Sequence, residues 1–114
     1  MLLVEDSSLV VDALRLLLEQ HGYEVTTADS IEAARNAAAH SRPDFALLDL
    51  TLPDGDGLEL ASEWSRAPAV AVLALTGHAD EATRARCMEA GCRAVLVKPV
   101  LSADLLTALA AAQR

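Results

Sequence analysis

The chain has 114 residues, 53% of them hydrophobic, and sets 17 acidic against nine basic residues for a formal charge of −8. That length holds one domain with a real core and not two, and the apolar content excludes disorder. The acidic balance argues against a nucleic-acid-binding face, the apolar runs fall short of a membrane span, and "MLLVEDSS" lacks the basic leader of a signal peptide.

In chain order, "LLV" (Leu2 to Val4) reads as a strand that stops at Glu5 and Asp6. "SSLVVDALRLLLEQHG" follows with serine caps and with Leu9, Ala13, Leu16 and Leu17 at helical spacing, closed by Gly22. "YEVTTA" (Tyr23 to Ala28) is β-branched and alternating, hence a strand. "SIEAARNAAAHS" is alanine-rich and helical, with Ser30 as N-cap and Pro43 just beyond. "FALLDL" (Phe45 to Leu50) is a buried central strand interrupted by one Asp, and "PDGDG" is a loop before the helix "LELASEWSR". "AVAVLALT" (69–76) is a second buried strand, "GHAD" a loop, and "EATRARCMEAG" a helix closed by Gly91. "AVLVKP" is the last strand and "SADLLTALAAAQR" the last helix, capped by Ser102.

Five strands alternating with five helices, without repeat or linker, imply a three-layer α/β domain over residues 1–114, doubly wound around a five-stranded parallel sheet. In such a sheet a ligand site lies beyond the carboxyl ends of the strands. Glu5 and Asp6 end strand one, Asp49 lies near the end of strand three, Thr76 ends strand four and Lys98 ends strand five. Lys98 is the sole lysine beside eight arginines, and its place at a strand mouth before a proline marks it as a point charge set to meet these carboxylates.

Two carboxylates about 4 Å apart repel by roughly 4 kcal/mol at an effective dielectric near 20. Three acids with one lysine therefore require either a raised pKa or a bound cation. Oxygen ligands without His or Cys favour Mg²⁺ over zinc. Asp, Mg²⁺, Lys and a Thr hydroxyl together make a phosphoryl-binding site with a built-in nucleophile. Asp49 inside "FALLDL" is the strongest single signal, because an unpartnered buried carboxylate would cost several kcal/mol.

"LLVEDS", "FALLDLTLPDGDG", "LALTGH" and "LVKP" together resemble the four signatures of the receiver domain of two-component response regulators, in order and along the whole chain. The resemblance implies a flavodoxin-like sheet of order 2-1-3-4-5. It implies that Asp49 accepts a phosphoryl group from a histidine kinase, a histidine phosphotransfer protein or a small acyl phosphate. Asp6 and Asp49 would bind Mg²⁺ (or Mn²⁺) directly, Thr51 would add its backbone carbonyl, and Glu5 would assist through water. Thr76 would hydrogen-bond the phosphoryl oxygens, Lys98 would pair with Asp49 and then with the phosphoryl group, and Pro99 would follow a cis bond that aims the lysine. Thr51 and His78 occupy positions that influence phosphoryl lifetime in this family. The protein would be a cytoplasmic signalling domain and not an enzyme in its own right, switching conformation to control a partner or attached domain.

Val95 departs from the family, which usually places Tyr or Phe three residues before the lysine as part of the switch. The last helix, poor in charge, does not indicate dimerisation. A stand-alone receiver and a piece of a larger protein such as a hybrid histidine kinase both stay open. So does a pseudo-receiver that docks partners without taking phosphate. A haloacid-dehalogenase-type phosphatase would need a second Asp where Thr51 stands. Asp54 and Asp56 read as turn formers and not as a calcium loop, which would require a distal Glu. His21 and His40 sit at helix ends. Cys87 and Cys92, with four residues between them, fit neither a CxxC pair nor a zinc set and read as reduced thiols. Trp64, Tyr23 and Phe45 are too few for base stacking.

Overall fold

Every expected strand and helix forms, and in the expected order. The computed structural model of the chain describes residues 1–66, 70–78 and 80–112. The elements are β1 (Leu2–Val4), α1 (Ser8–Gln20), β2 (Thr26–Ala28), α2 (Ile31–His40), β3 (Phe45–Asp49), α3 (Leu58–Trp64), β4 (Ala71–Thr76), α4 (Glu81–Glu89), β5 (Ala94–Val97) and α5 (Ser102–Ala112). The sheet is parallel throughout, in the order β2-β1-β3-β4-β5. Ala69, Ala79, Gln113 and Arg114, at the edges of expected elements, lie outside the described residues.

Strand alternation sorts the core into two layers. Leu2, Val4, Leu48, Val72 and Ala74 face Ile31, Leu60, Trp64 and Cys87 of α2, α3 and α4. Leu3, Leu47, Leu73 and Leu75 face Leu14 and Leu18 of α1 and Leu105 and Leu109 of α5. All six residues of β4 are buried, as a central strand covered by helices on both faces requires. Each buried Leu or Val contributes about 1.5–3 kcal/mol, so these two layers hold the strand ends in fixed register.

Several boundaries differ from the sequence reading. β2 spans three residues and not six, because the Tyr23 N–H turns back to Leu18 O and closes α1 through Gly22, whose φ is +88°. Ser102 is the first residue of α5 and not its cap; the Leu105 N–H bonds to Leu101 O. Ser30 does cap α2, accepting from Ala33 N at 3.1 Å. Asp54 does more than form a turn: its carboxylate accepts the Ile31 and Glu32 N–H groups at 2.8 and 3.1 Å, capping α2 from the loop after β3. That loop also carries a two-residue antiparallel ladder, Thr51–Leu52 with Gly55–Asp56, which the sequence reading missed.

Candidate functional site

The carboxyl ends of β1, β3, β4 and β5 bring their polar residues to one edge. Glu5 and Asp49 are almost wholly buried, at 2% and 4% exposure, while Asp6 is exposed. One carboxylate oxygen from each of the three lies within 4.8 Å of the others. The side chain of Lys98 reaches back over β3, placing Nζ 3.0 Å from Asp49 Oδ2 and 2.7 Å from Glu5 Oε2. Its peptide bond to Pro99 is cis, as expected.

Asp49 is held on both oxygens, since Oδ2 accepts from Lys98 and Oδ1 accepts the Thr51 N–H at 3.1 Å. The loop that supplies Thr51 folds directly beneath. The Gly57 N–H bonds to Leu50 O at 2.9 Å, and a Cβ at Gly57 would lie 2.2 Å from Asp49 O. Only a glycine permits that approach.

Glu5 Oε1 accepts the Ser7 N–H at 3.1 Å. Its buried Oε2 is paired with the Lys98 ammonium at 2.7 Å, a charge it shares with Asp49. Burial raises the Glu5 pKa, and the Lys98 and Ser7 contacts offset this only in part. For Lys98, burial favours the neutral amine, but the hydrogen bonds and charges of Glu5 and Asp49 outweigh it and raise its pKa. The lysine therefore stays charged.

Three crowded carboxylates that share one lysine, with an all-oxygen donor set, fit a hard divalent cation. Acid dominates the α1 side, where Glu5, Asp6, Asp12 and Asp29 line a hollow of about 390 Å³. The α4 side differs. There Leu50, Thr51, Asp56, Thr76, His78 and Arg86 are among the residues around a hollow of about 380 Å³.

The sequence-derived residues separate into two groups. Glu5, Asp6, Asp49 and Lys98 meet directly, with Thr51 joining through its backbone N–H. Thr76, buried at 7% exposure, is turned toward its own loop: its hydroxyl donates to His78 O at 2.9 Å and accepts the His78 N–H at 3.1 Å. His78 and the Thr51 side chain are exposed. Val95 pairs with Ala74 and packs, half-buried, against the layer that contains Cys87 and Cys92. The sequence reading missed Arg86, which forms an ion pair with Asp56 across the α4 hollow. An arginine on a helix surface carries no motif by which to find it.

A family model described as the response regulator receiver domain matches residues 1–110, and the chain belongs to that family. Its function is two-component phosphorelay signalling. The KDP operon transcriptional regulatory protein KdpE of Escherichia coli is 34% identical over 113 residues, covering 99% of this chain and 50% of that protein. The chain thus spans about half the length of that curated relative. Among solved structures, a CheY-like receiver domain from Methanospirillum hungatei superposes with a TM-score of 0.86 at 30% identity, over 96% of this chain and 89% of that one. A response regulator from Burkholderia pseudomallei, solved with a phosphorylated aspartic acid, calcium ion and citrate, gives 0.87 at 30% identity, over 95% and 64%. Receiver domains generally bind Mg²⁺ and take histidine kinases as partners.

Proposed function

We propose that Asp49 is the phosphoacceptor. The observation that carries this is a nearly buried carboxylate held at both oxygens, by Lys98 and by the Thr51 N–H, at the carboxyl edge of the sheet. In the reaction an Asp49 oxygen forms a bond to phosphorus as the N–P bond of a phosphohistidine breaks, and the imidazole nitrogen keeps the electron pair. Fixing the carboxylate beforehand removes orientational freedom that would otherwise oppose the step. Lys98 then meets the phosphoryl oxygens, and water attack on phosphorus later releases phosphate and restores Asp49. The donor is a sensor histidine kinase or a histidine phosphotransfer protein, or a small acyl phosphate in vitro.

Asp6 and Asp49, with the Thr51 carbonyl and with Glu5 through water, are the residues that would hold Mg²⁺. When bound, it neutralises charge on the transferring phosphoryl group. Thr76 turns from its His78 contacts to the phosphoryl oxygens, and Thr51 and His78 flank the path of the attacking water and so affect lifetime. Charge-assisted hydrogen bonds contribute about 1.5–3 kcal/mol each. New ones from Thr76 and Lys98 approach the roughly 5.5 kcal/mol that inverts a 1:99 equilibrium. Phosphorylation thus biases a pre-existing equilibrium, which controls a partner or an attached domain. We assign the chain as one receiver domain over residues 1–114, a cytoplasmic acceptor that assists its own phosphorylation and dephosphorylation and is not a free-standing enzyme.

The test is intact-mass spectrometry after incubation with acetyl phosphate, with Mg²⁺ and with chelator, beside Asp49→Asn. The proposal expects one Mg²⁺-dependent phosphoryl adduct, absent from the variant. An adduct that persists in Asp49→Asn at the wild-type level would refute it. No adduct under any phosphodonor would leave a docking module of the same fold.

A further inference from the structure

Helix α4 is thinly anchored. Of its nine residues Cys87 alone is buried, so apolar packing fixes its position weakly. Polar ties do the rest. Asp80 caps its first turn by accepting the Thr83 N–H at 2.7 Å, and Thr76 binds the preceding loop at His78. At the far end the Ser65 hydroxyl donates to Ala90 O at 3.1 Å, and between the two ends stands Arg86, whose Nη2 lies 2.5 Å from Asp56 Oδ2.

Asp56 is itself fixed. Its Oδ1 accepts the Leu58 N–H at 2.9 Å at the start of α3, and its backbone pairs with Thr51 in the short ladder. Thr51 in turn donates its N–H to Asp49 Oδ1. Contacts therefore run without a break from Asp49 through Thr51 and Asp56 to Arg86 on α4. Val95, aliphatic and half-buried, adds no polar tie at the neighbouring strand.

We propose that Arg86 is a positioning residue: its ion pair with Asp56 holds α4 against the acceptor loop in the resting state, and occupancy of Asp49 by a phosphoryl group works against that pair. This rests on Asp49 being the acceptor. If the pair belongs to the resting state, linkage requires that removing it tighten phosphoryl-like ligands by the factor the pair was worth. Both partners are exposed, and exposed ion pairs shift equilibria by at most about fivefold. The device is a fine adjustment of the switch.

The test measures beryllofluoride affinity in Mg²⁺ by calorimetry on the full chain, for wild type, Arg86→Ala, Arg86→Lys, Asp56→Asn and the double variant. Asparagine keeps the oxygen that caps α3 and removes the charge that Arg86 meets. The expected result is two- to fivefold tighter binding for Arg86→Ala and for Asp56→Asn, no further gain in the double variant, and a return toward wild type for Arg86→Lys. The gain should shrink in 1 M salt, which a packing defect would not do. Wild-type binding with Arg86→Ala unchanged or weaker overturns the positioning role alone; a weaker variant would make Arg86 a direct anion ligand. No binding by wild type overturns both this role and the assignment of Asp49.

Discussion

Replacing Lys98 with methionine leaves Glu5 and Asp49 facing each other, both nearly buried, with no cation between them. At 2.7 and 3.0 Å, each lost attraction is about 5–6 kcal/mol in gross terms at an effective dielectric near 20. Most of that is offset by the desolvation that burying the ammonium costs in the wild type. Removing one partner of a buried pair usually destabilises by about 3–5 kcal/mol. The Lys98 side chain is 26% exposed, so water screens part of the interaction and the expected loss falls to about 2–3 kcal/mol. With a urea slope of about 1–3 kcal/mol per molar, the unfolding midpoint should drop by about 1–2 M in chelator at pH 7. A second variant isolates the cause: Glu5→Gln with Lys98→Met leaves one buried charge and should recover part of the loss. A Lys98→Met midpoint within about 0.3 M of wild type would refute this electrostatic account.

Gly57→Ala would drive a Cβ to 2.2 Å from Asp49 O, so it should lose about 2–3 kcal/mol in urea unfolding and weaken beryllofluoride binding, since the displaced carbonyl belongs to the acceptor. Asp54 accepts the Ile31 and Glu32 N–H groups, and the first of these bonds chiefly lowers its pKa. Its stabilisation is therefore present above the ordinary Asp range and lost as pH falls through the lower folded value. Asp54→Ala should be less stable than wild type at pH 7, and acid titration of the unfolding midpoint should bring the two together. Burial raises the thiol pKa of Cys87, and pushes that of Cys92 up to about 12. Both should resist a thiol-specific disulfide reagent at pH 8 in the native protein and react fully in urea.

The strand–helix alternation and the charged cluster were legible in the sequence because both rest on strong, local signals, whereas the strand order came from the resemblance to receiver domains. Parallel strands ending in Glu5, Asp49 and Lys98 can deliver those groups to one edge only, and burial of Asp49 demands partners. Where reading failed, the deciding contact was tertiary. Gly22 marks the end of α1, but the β-branched run after it gives no sign that the Tyr23 N–H is used in closing the helix and so stays out of β2. Asp54 and Asp56 look like turn residues, and their service to α2, α3 and Arg86 follows from how the loop lies across its neighbours. Thr76 stands at the expected edge, but its rotamer is set by the His78 backbone, which composition and spacing do not encode.

The most direct measurement of the central claim is borohydride trapping after acetyl phosphate treatment in Mg²⁺, followed by peptide mass mapping. Hydride reduction converts an aspartyl phosphate to homoserine and so marks the acceptor carboxylate itself. With Asp49 as acceptor, homoserine appears at position 49 alone. Homoserine at Asp6, Asp54 or Asp56, with position 49 unmodified, would contradict it.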